Sequence, residues 1–121
     1  MRELEVDLQH LRGAIGGTVY GVGGERIGKL AGVYLDDESS QPEWIEVKTG
    51  LVKRRFVPLE SAQVAERRVD VPYERRLVDR TPKVKPKDGL VLPYDEDRLY
   101  HYYGLTGDDH HAHPLRPLQS A

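Results

Sequence analysis

The sequence predicts a mainly β fold, a small barrel of five to six short strands with a short helix near each end. Three observations carry that expectation. Residues 15–59 read as four β-segments separated by three turns. A further alternating segment, Arg68-Val69-Asp70-Val71-Pro72, follows them. Glycine and proline punctuate all of these, and short strands so punctuated build barrels and rolls rather than open sheets.

The whole chain sets the bounds. Its 121 residues suit one domain. With 38% apolar and 31% charged residues it is polar but outside the disordered regime, so the core is small. Eighteen basic and twenty acidic residues leave a net charge of −2, which exerts no overall pull toward nucleic acid or anionic membrane. The absence of cysteine excludes disulfides, thiol catalysis and thiolate metal sites. No apolar run reaches the roughly 20 residues of a membrane span. The acidic start MRELEVDLQH has no apolar signal-peptide core, and a cytoplasmic location is expected.

The elements follow in order. Leu4, Leu8 and Leu11 recur at helical spacing, predicting an amphipathic helix over residues 1–12 that acts as a lid on one barrel end. Residues 13–17 break it, and Thr18-Val19-Tyr20 is a β-branched and aromatic first strand. Gly23-Gly24 marks a hairpin turn. Arg26 stands where a dinucleotide-binding motif needs its third glycine, and no helix follows, so that chemistry is set aside. Residues 25–35 form the second strand. Its alternation slips between Ile27 and Leu30, beside Gly28 and Gly32, as a bulge would require. Asp36-Asp37-Glu38 lacks the alternating ligands of a calcium loop and reads as a solvated turn. In the third strand, residues 43–49, Ile45 and Val47 face the core while Trp44, Glu46 and Lys48 face outward. Residues 50–55 read as a basic turn. Phe56, Val57 and Leu59 make a fourth strand that Pro58 confines to an edge or an end. Residues 61–66 read as a connection. Residues 74–79 suit one or two helical turns with Leu77 and Val78 inward, and residues 81–93 an extended, proline-rich link. Asp95-Glu96-Asp97 opens a helix that Gly104 closes, with Leu99, Tyr102 and Tyr103 near one face. The barrel domain with this helix spans residues 13–105. Residues 106–121 show no periodicity and read as a flexible, His-containing tail outside the core.

Candidate functional residues fall into three groups. Trp44, with Tyr100, Tyr102 and Tyr103, offers an aromatic anchor for a protein partner; for Trp44 the competing role is packing against the C-terminal helix. Lys53, Arg54, Arg55, Arg67 and Arg68 would make a rim for a polyanion such as RNA if they share one edge; the competing reading is interspersed surface charge, and nucleic acid is not the expected partner. His110, His111 and His113 offer imidazoles for weak metal binding, near Asp108 and Asp109. No nucleophile motif lies near His101, and the paired carboxylates sit in turns or helix starts, so an enzyme is not expected and no cofactor is called for.

Four stretches carry a resemblance: GGTVYGVGGERIGKLAGVYLDDESSQPEWIEVKTG, RRFVPLESA, VDVPYERRLVDRTPKV and DEDRLYHYYGL. Together, over roughly residues 15–105, they resemble the PRC-barrel family. The family takes its name from the cytoplasmic domain of the photosynthetic reaction-centre H subunit, and a related barrel forms half of a bacterial ribosome-maturation factor. The PEW-like third strand, FVPL-like fourth strand and YxxYGL-like end look most like free-standing bacterial members. The resemblance implies a PRC-type barrel and a non-enzymatic role in protein interaction or assembly. The 121 residues carry neither the H subunit's membrane anchor nor the ribosome factor's further domain, so neither duty is expected. No functional residue carries over, because the matching motifs are turns and core strands. Self-association, as a homodimer, is expected from a small core with open strand edges and exposed aromatics.

Overall fold

The computed structural model describes residues 8–105 and 114–118. Among these described residues seven strands form one sheet: β1 (Thr18–Tyr20), β2 (Arg26–Asp36), β3 (Pro42–Lys48), β4 (Arg54–Pro58), β5 (Gln63–Ala65), β6 (Arg68–Asp70) and β7 (Leu115–Pro117). Three helices accompany them: α1 (Leu8–Ala14), α2 (Arg75–Asp79) and α3 (Pro93–Tyr103). The strand order is β4-β3-β2-β1-β6-β5, with β7 also on β2. β4 and β5 end the order unjoined, so hydrogen bonds do not close the barrel.

β2 is the hub. One edge pairs with β3 from Lys29 to Leu35; the other pairs first with β1 and then, from Tyr34 to Asp36, with β7. Such a long strand serves several partners only by bending. Register shifts fall opposite the Val19–Tyr20 step and between Leu30 and Gly32, bracketing the slip that the sequence pattern showed. Gly28 is required there by close approach: a Cβ would lie 2.3 Å from the Lys48 carbonyl oxygen.

Several expectations are corrected. The first helix continues past Gly13 to Ala14, where Leu11 and Ala14 are buried; Leu4 lies outside the described residues. Arg54 and Arg55 belong to β4 rather than to a turn, because Lys48 and Arg54 pair and extend the ladder. The supposed connection 61–66 contains β5, folded back on β6 through Glu66 and Arg67. That turn lacks the usual glycine: Arg67 itself takes a positive φ of 61°, held by guanidinium hydrogen bonds to the Ile15 and Gly16 carbonyls. Leu77 lies at the surface, while Val78 is buried, because α2 is too short to bury two adjacent positions. The tail does reach the core: Leu115 is fully buried, and β7 also bridges Val91.

Two clusters fill the molecule. The first, inside the barrel, is aliphatic and includes Val19, Ile27, Leu30, Ile45, Val47 and Val57 under α1. The second lies on the outer face of the sheet under α3. It joins Tyr34, Trp44, Phe56, Val91, Leu99, Tyr103 and Leu115.

Candidate interaction surface

The outer face of β2, β3 and β4 is built in three cross-strand rows. Register places Tyr34, Trp44 and Pro58 abreast, then Gly32, Glu46 and Phe56, then Lys29, Lys48 and Arg54. Residues directly opposite on neighbouring strands project to the same face, about 4.5–5.5 Å apart at Cβ. The face is therefore aromatic at one end and cationic at the other, with Glu46 at the boundary.

α3 covers the aromatic end. Pro93 starts the helix at a position where its missing N–H is no loss, and Gly104 ends it at φ 71°. Glu96, Leu99 and Tyr103 are its buried residues, spaced three and four apart on one stripe. Trp44 Nε1 donates to Glu96 Oε2 at 3.4 Å, and the indole meets the Tyr100 ring edge-on at 5.4 Å and the Tyr103 ring at 5.9 Å. The first turn of the helix favours the Glu96 carboxylate through the dipole. The Tyr103 hydroxyl donates to the Phe56 carbonyl at 2.6 Å and lies 2.9 Å from the Thr81 hydroxyl. Phe56 belongs to an end strand, so this bond occupies a carbonyl on an otherwise open edge. The Tyr102 hydroxyl donates to the Leu77 carbonyl at 2.6 Å. Burial, with help from the Glu46 carboxylate, pushes the Tyr34 hydroxyl up to about 12. Burial raises Tyr103 as well, and raises Tyr100 together with the charges of Glu43 and Glu96. These phenols stay protonated at neutral pH, and Tyr103 serves as a hydrogen-bond donor, not a base.

The cationic end is uncovered. Thr49 N–H donates to the Lys53 carbonyl at 3.0 Å and closes the β3–β4 hairpin. At its tip Leu51 is 92% exposed and Val52 86% exposed. Arg54 reaches Glu46 at 3.5 Å. The side chains of Lys29, Lys48 and Lys53 have no ion pair among the described residues.

The residues singled out from the sequence are redistributed. Trp44 has no accessible surface, so it takes the packing role against the C-terminal helix and presents nothing to a partner. Tyr103 is buried beside it, while Tyr100 and Tyr102 are partly covered. The five-residue basic rim does not assemble as one edge. Arg55 is buried and donates to the Asp79 and Arg54 carbonyls. Arg67 and Arg68 lie on the β5–β6 hairpin, which three strands separate from β4 in the sheet order. Arg67 is occupied as described above; Arg68 forks onto the Asp70 carboxylate at 2.9 and 3.0 Å and stacks on Tyr20. Lys53 and Arg54 remain together. His110, His111 and His113 lie outside the described residues.

Asp36 in the acidic turn spends its carboxylate on the backbone N–H groups of Glu38 and Ser39. An open groove of about 380 Å³ is lined by Val22, Glu25, Glu74, Arg75, Arg76 and Asp79, where charges of both signs mix and Arg75 pairs with Asp79 at 3.6 Å. Sequence reasoning missed Glu96, Leu115 and the partnership of Lys29 with Lys48, which only the strand register reveals. The Leu51-Val52 pair was missed as well, although its signal lay in the sequence: two large aliphatics in a basic turn.

The fold defines a small, open β-barrel module with helical covers. Among the described residues no group of three or more His, Cys, Asp or Glu side chains is placed to hold a metal ion, and His101 contacts Asp97 on its own helix. No described helix is long and apolar enough to cross a membrane. The family model for the PRC-barrel domain matches residues 12–78, more than half of the chain. The chain belongs to the PRC-barrel family. No curated protein matches it.

Proposed function

We propose that this PRC-barrel protein is a non-enzymatic assembly module that docks a protein partner, a second copy of itself being the first candidate. The observation that carries the reading is the contrast along α3 and its lead-in. Glu96, Leu99 and Tyr103 are committed to the barrel, whereas Tyr94 is 74% exposed and the neighbouring Leu92 is exposed as well. Tyr94 is positioned by the helix and faces the Arg98 guanidinium at 5.9 Å. A rigid, amphipathic aromatic of this kind loses little entropy on docking, which is why tyrosine is enriched at interface centres. The test is affinity capture of the intact protein from its native lysate, with and without nuclease, beside the Leu92→Ser/Tyr94→Glu double variant. A discrete nuclease-resistant partner, or the chain's own second copy by light scattering, should be lost in that variant. Identical capture by both proteins would sink the reading.

A further inference from the structure

The cationic end of the outer face lacks any explanation in the fold. Lys29, Lys48 and Arg54 stand directly abreast on β2, β3 and β4. Like charges directly opposite one another on a sheet are destabilising, so this row opposes folding. Glu46 relieves Arg54 alone. The row adjoins the hairpin tip, where Lys53 follows Leu51 and Val52 and pairs with Thr49, one position beyond the row and on the alternate face. The tip is a protrusion, with open space around Gly50 and the two aliphatic side chains almost wholly in water.

We propose that this hairpin docks the protein on an anionic lipid surface. Leu51 and Val52 enter the headgroup–acyl boundary, and Lys29, Lys48, Lys53 and Arg54 lie against lipid phosphates. Two features select a bilayer over a nucleic acid. Phosphodiester chains would engage the cations, but they offer nothing to two adjacent exposed aliphatics. No exposed aromatic platform accompanies the row to stack bases, since Tyr34, Trp44 and Phe56 at the other end of the face are buried. A lipid interface accepts apolar and cationic groups together, and a fluid one needs no preformed pocket for a protruding tip. Net charge conceals the site: the chain carries −2 overall, yet Lys29, Lys48 and Arg54 stand in one row with Lys53 at the adjoining tip, and Glu46 in the next row pairs with Arg54. Binding of this size is reversible, because one short apolar insertion with a basic patch falls well short of a spanning helix. The inference is independent of docking through α3, which uses other residues.

The experiment is co-sedimentation of the full chain with vesicles of phosphatidylcholine, alone or mixed with phosphatidylglycerol, at low and high salt. Binding to the mixed vesicles alone, weakened by salt, is expected. Leu51→Asp/Val52→Asp should reduce it at least tenfold. Lys48→Gln and Lys53→Gln should each reduce it about fivefold, the equivalent of one juxtamembrane charge. The altered side chains are at least partly exposed, and unchanged thermal melting checks that the variants fold. Because the chain contains no cysteine, Val52→Cys carries one environment-sensitive dye, whose emission should shift to the blue on mixed vesicles. Failure to sediment with mixed vesicles, undiminished binding by the Leu51/Val52 variant, or an unshifted dye overturns the proposal. So does tighter, tip-independent binding to single-stranded RNA, which would assign the row to phosphodiesters.

Discussion

The inner and outer clusters share the same strands yet are built on different principles. β3 supplies Ile45 and Val47 to the barrel interior and Trp44 to the face beneath α3. The interior is aliphatic and needs no side-chain hydrogen bond. The outer cluster is aromatic and buries polar atoms, so it depends on directed contacts: Trp44 to Glu96, Tyr103 to Phe56, and the Thr81 and Tyr103 hydroxyls to each other. Apolar burial is tolerant of exact geometry, whereas a buried donor without its acceptor is costly. The interior thus fixes the barrel, and the outer cluster fixes where α3 and β7 sit on it.

Adjacent residues give the largest contrast. Trp44→Ala should destabilise by about 3–5 kcal/mol and Ile45→Ala by about 2–5 kcal/mol, each through lost burial and a residual cavity. Denaturant titration by circular dichroism measures both. Trp44 is also the chain's single tryptophan, so its fluorescence reports on the outer cluster alone. Because β2, β3 and β4 line both clusters and Tyr73 packs against both, the fluorescence and dichroism transitions of the parent protein should coincide. Separate midpoints would show that the outer cluster melts by itself.

Leu115→Ala comes next, at about 2–5 kcal/mol, since its side chain is fully buried among aromatics. A change below about 0.5 kcal/mol, the usual range of surface substitutions, would return the tail to the solvent. Leu115 also shows where sequence reading stops. The inner cluster was legible because Val19, Ile45, Val47 and Val69 follow the period of two within single strands. The end of α3 was legible from Gly104 and its first turn from the acidic residues, whereas Pro93, read as part of the link, is where the helix starts. β7 is three residues that follow Pro114 and end on Pro117, and the partners of Leu115, Asp36 and Val91, lie far back in the chain. No periodicity fits in three residues. For the same reason the buried carboxylate of Glu96 looked like an ordinary helix-start charge, and Lys29 and Lys48 looked like scattered surface lysines. Register, which the pattern does not encode across a bulge, brings those two lysines together.

Alkaline pH separates the clusters chemically, because only the outer one contains buried phenols. Below pH 10 folded and unfolded chains both keep the Tyr34 proton, and stability is independent of this group. Between 10 and about 12 the unfolded chain has released it and the folded chain has not. Stability therefore falls across that window by about 1.4 kcal/mol per pH unit for each such tyrosine, and levels off above it. Tyr100 and Tyr103 act with the same sign. Urea midpoints measured through this range should decline, and Tyr34→Phe should make the decline shallower. An equal slope in that variant would contradict the assignment to Tyr34.

The smallest effect on stability tests the boundary between the aromatic and cationic ends of the outer face. Glu46 pairs with Arg54 at 3.5 Å, with the arginine half-exposed, so Glu46→Gln should change stability by less than about 1 kcal/mol, and by less still at high salt. Two other readouts should move in opposite regions of the face. Removing the carboxylate takes away one of the influences that raise Tyr34, so the alkaline decline should begin to level at a lower pH. It also removes the anion in the row next to the lysines, so affinity for phosphatidylglycerol-containing vesicles should rise about fivefold. If vesicle affinity falls instead, Glu46 is needed to orient Arg54 toward the lipid. The row then acts through arrangement rather than through its summed charge.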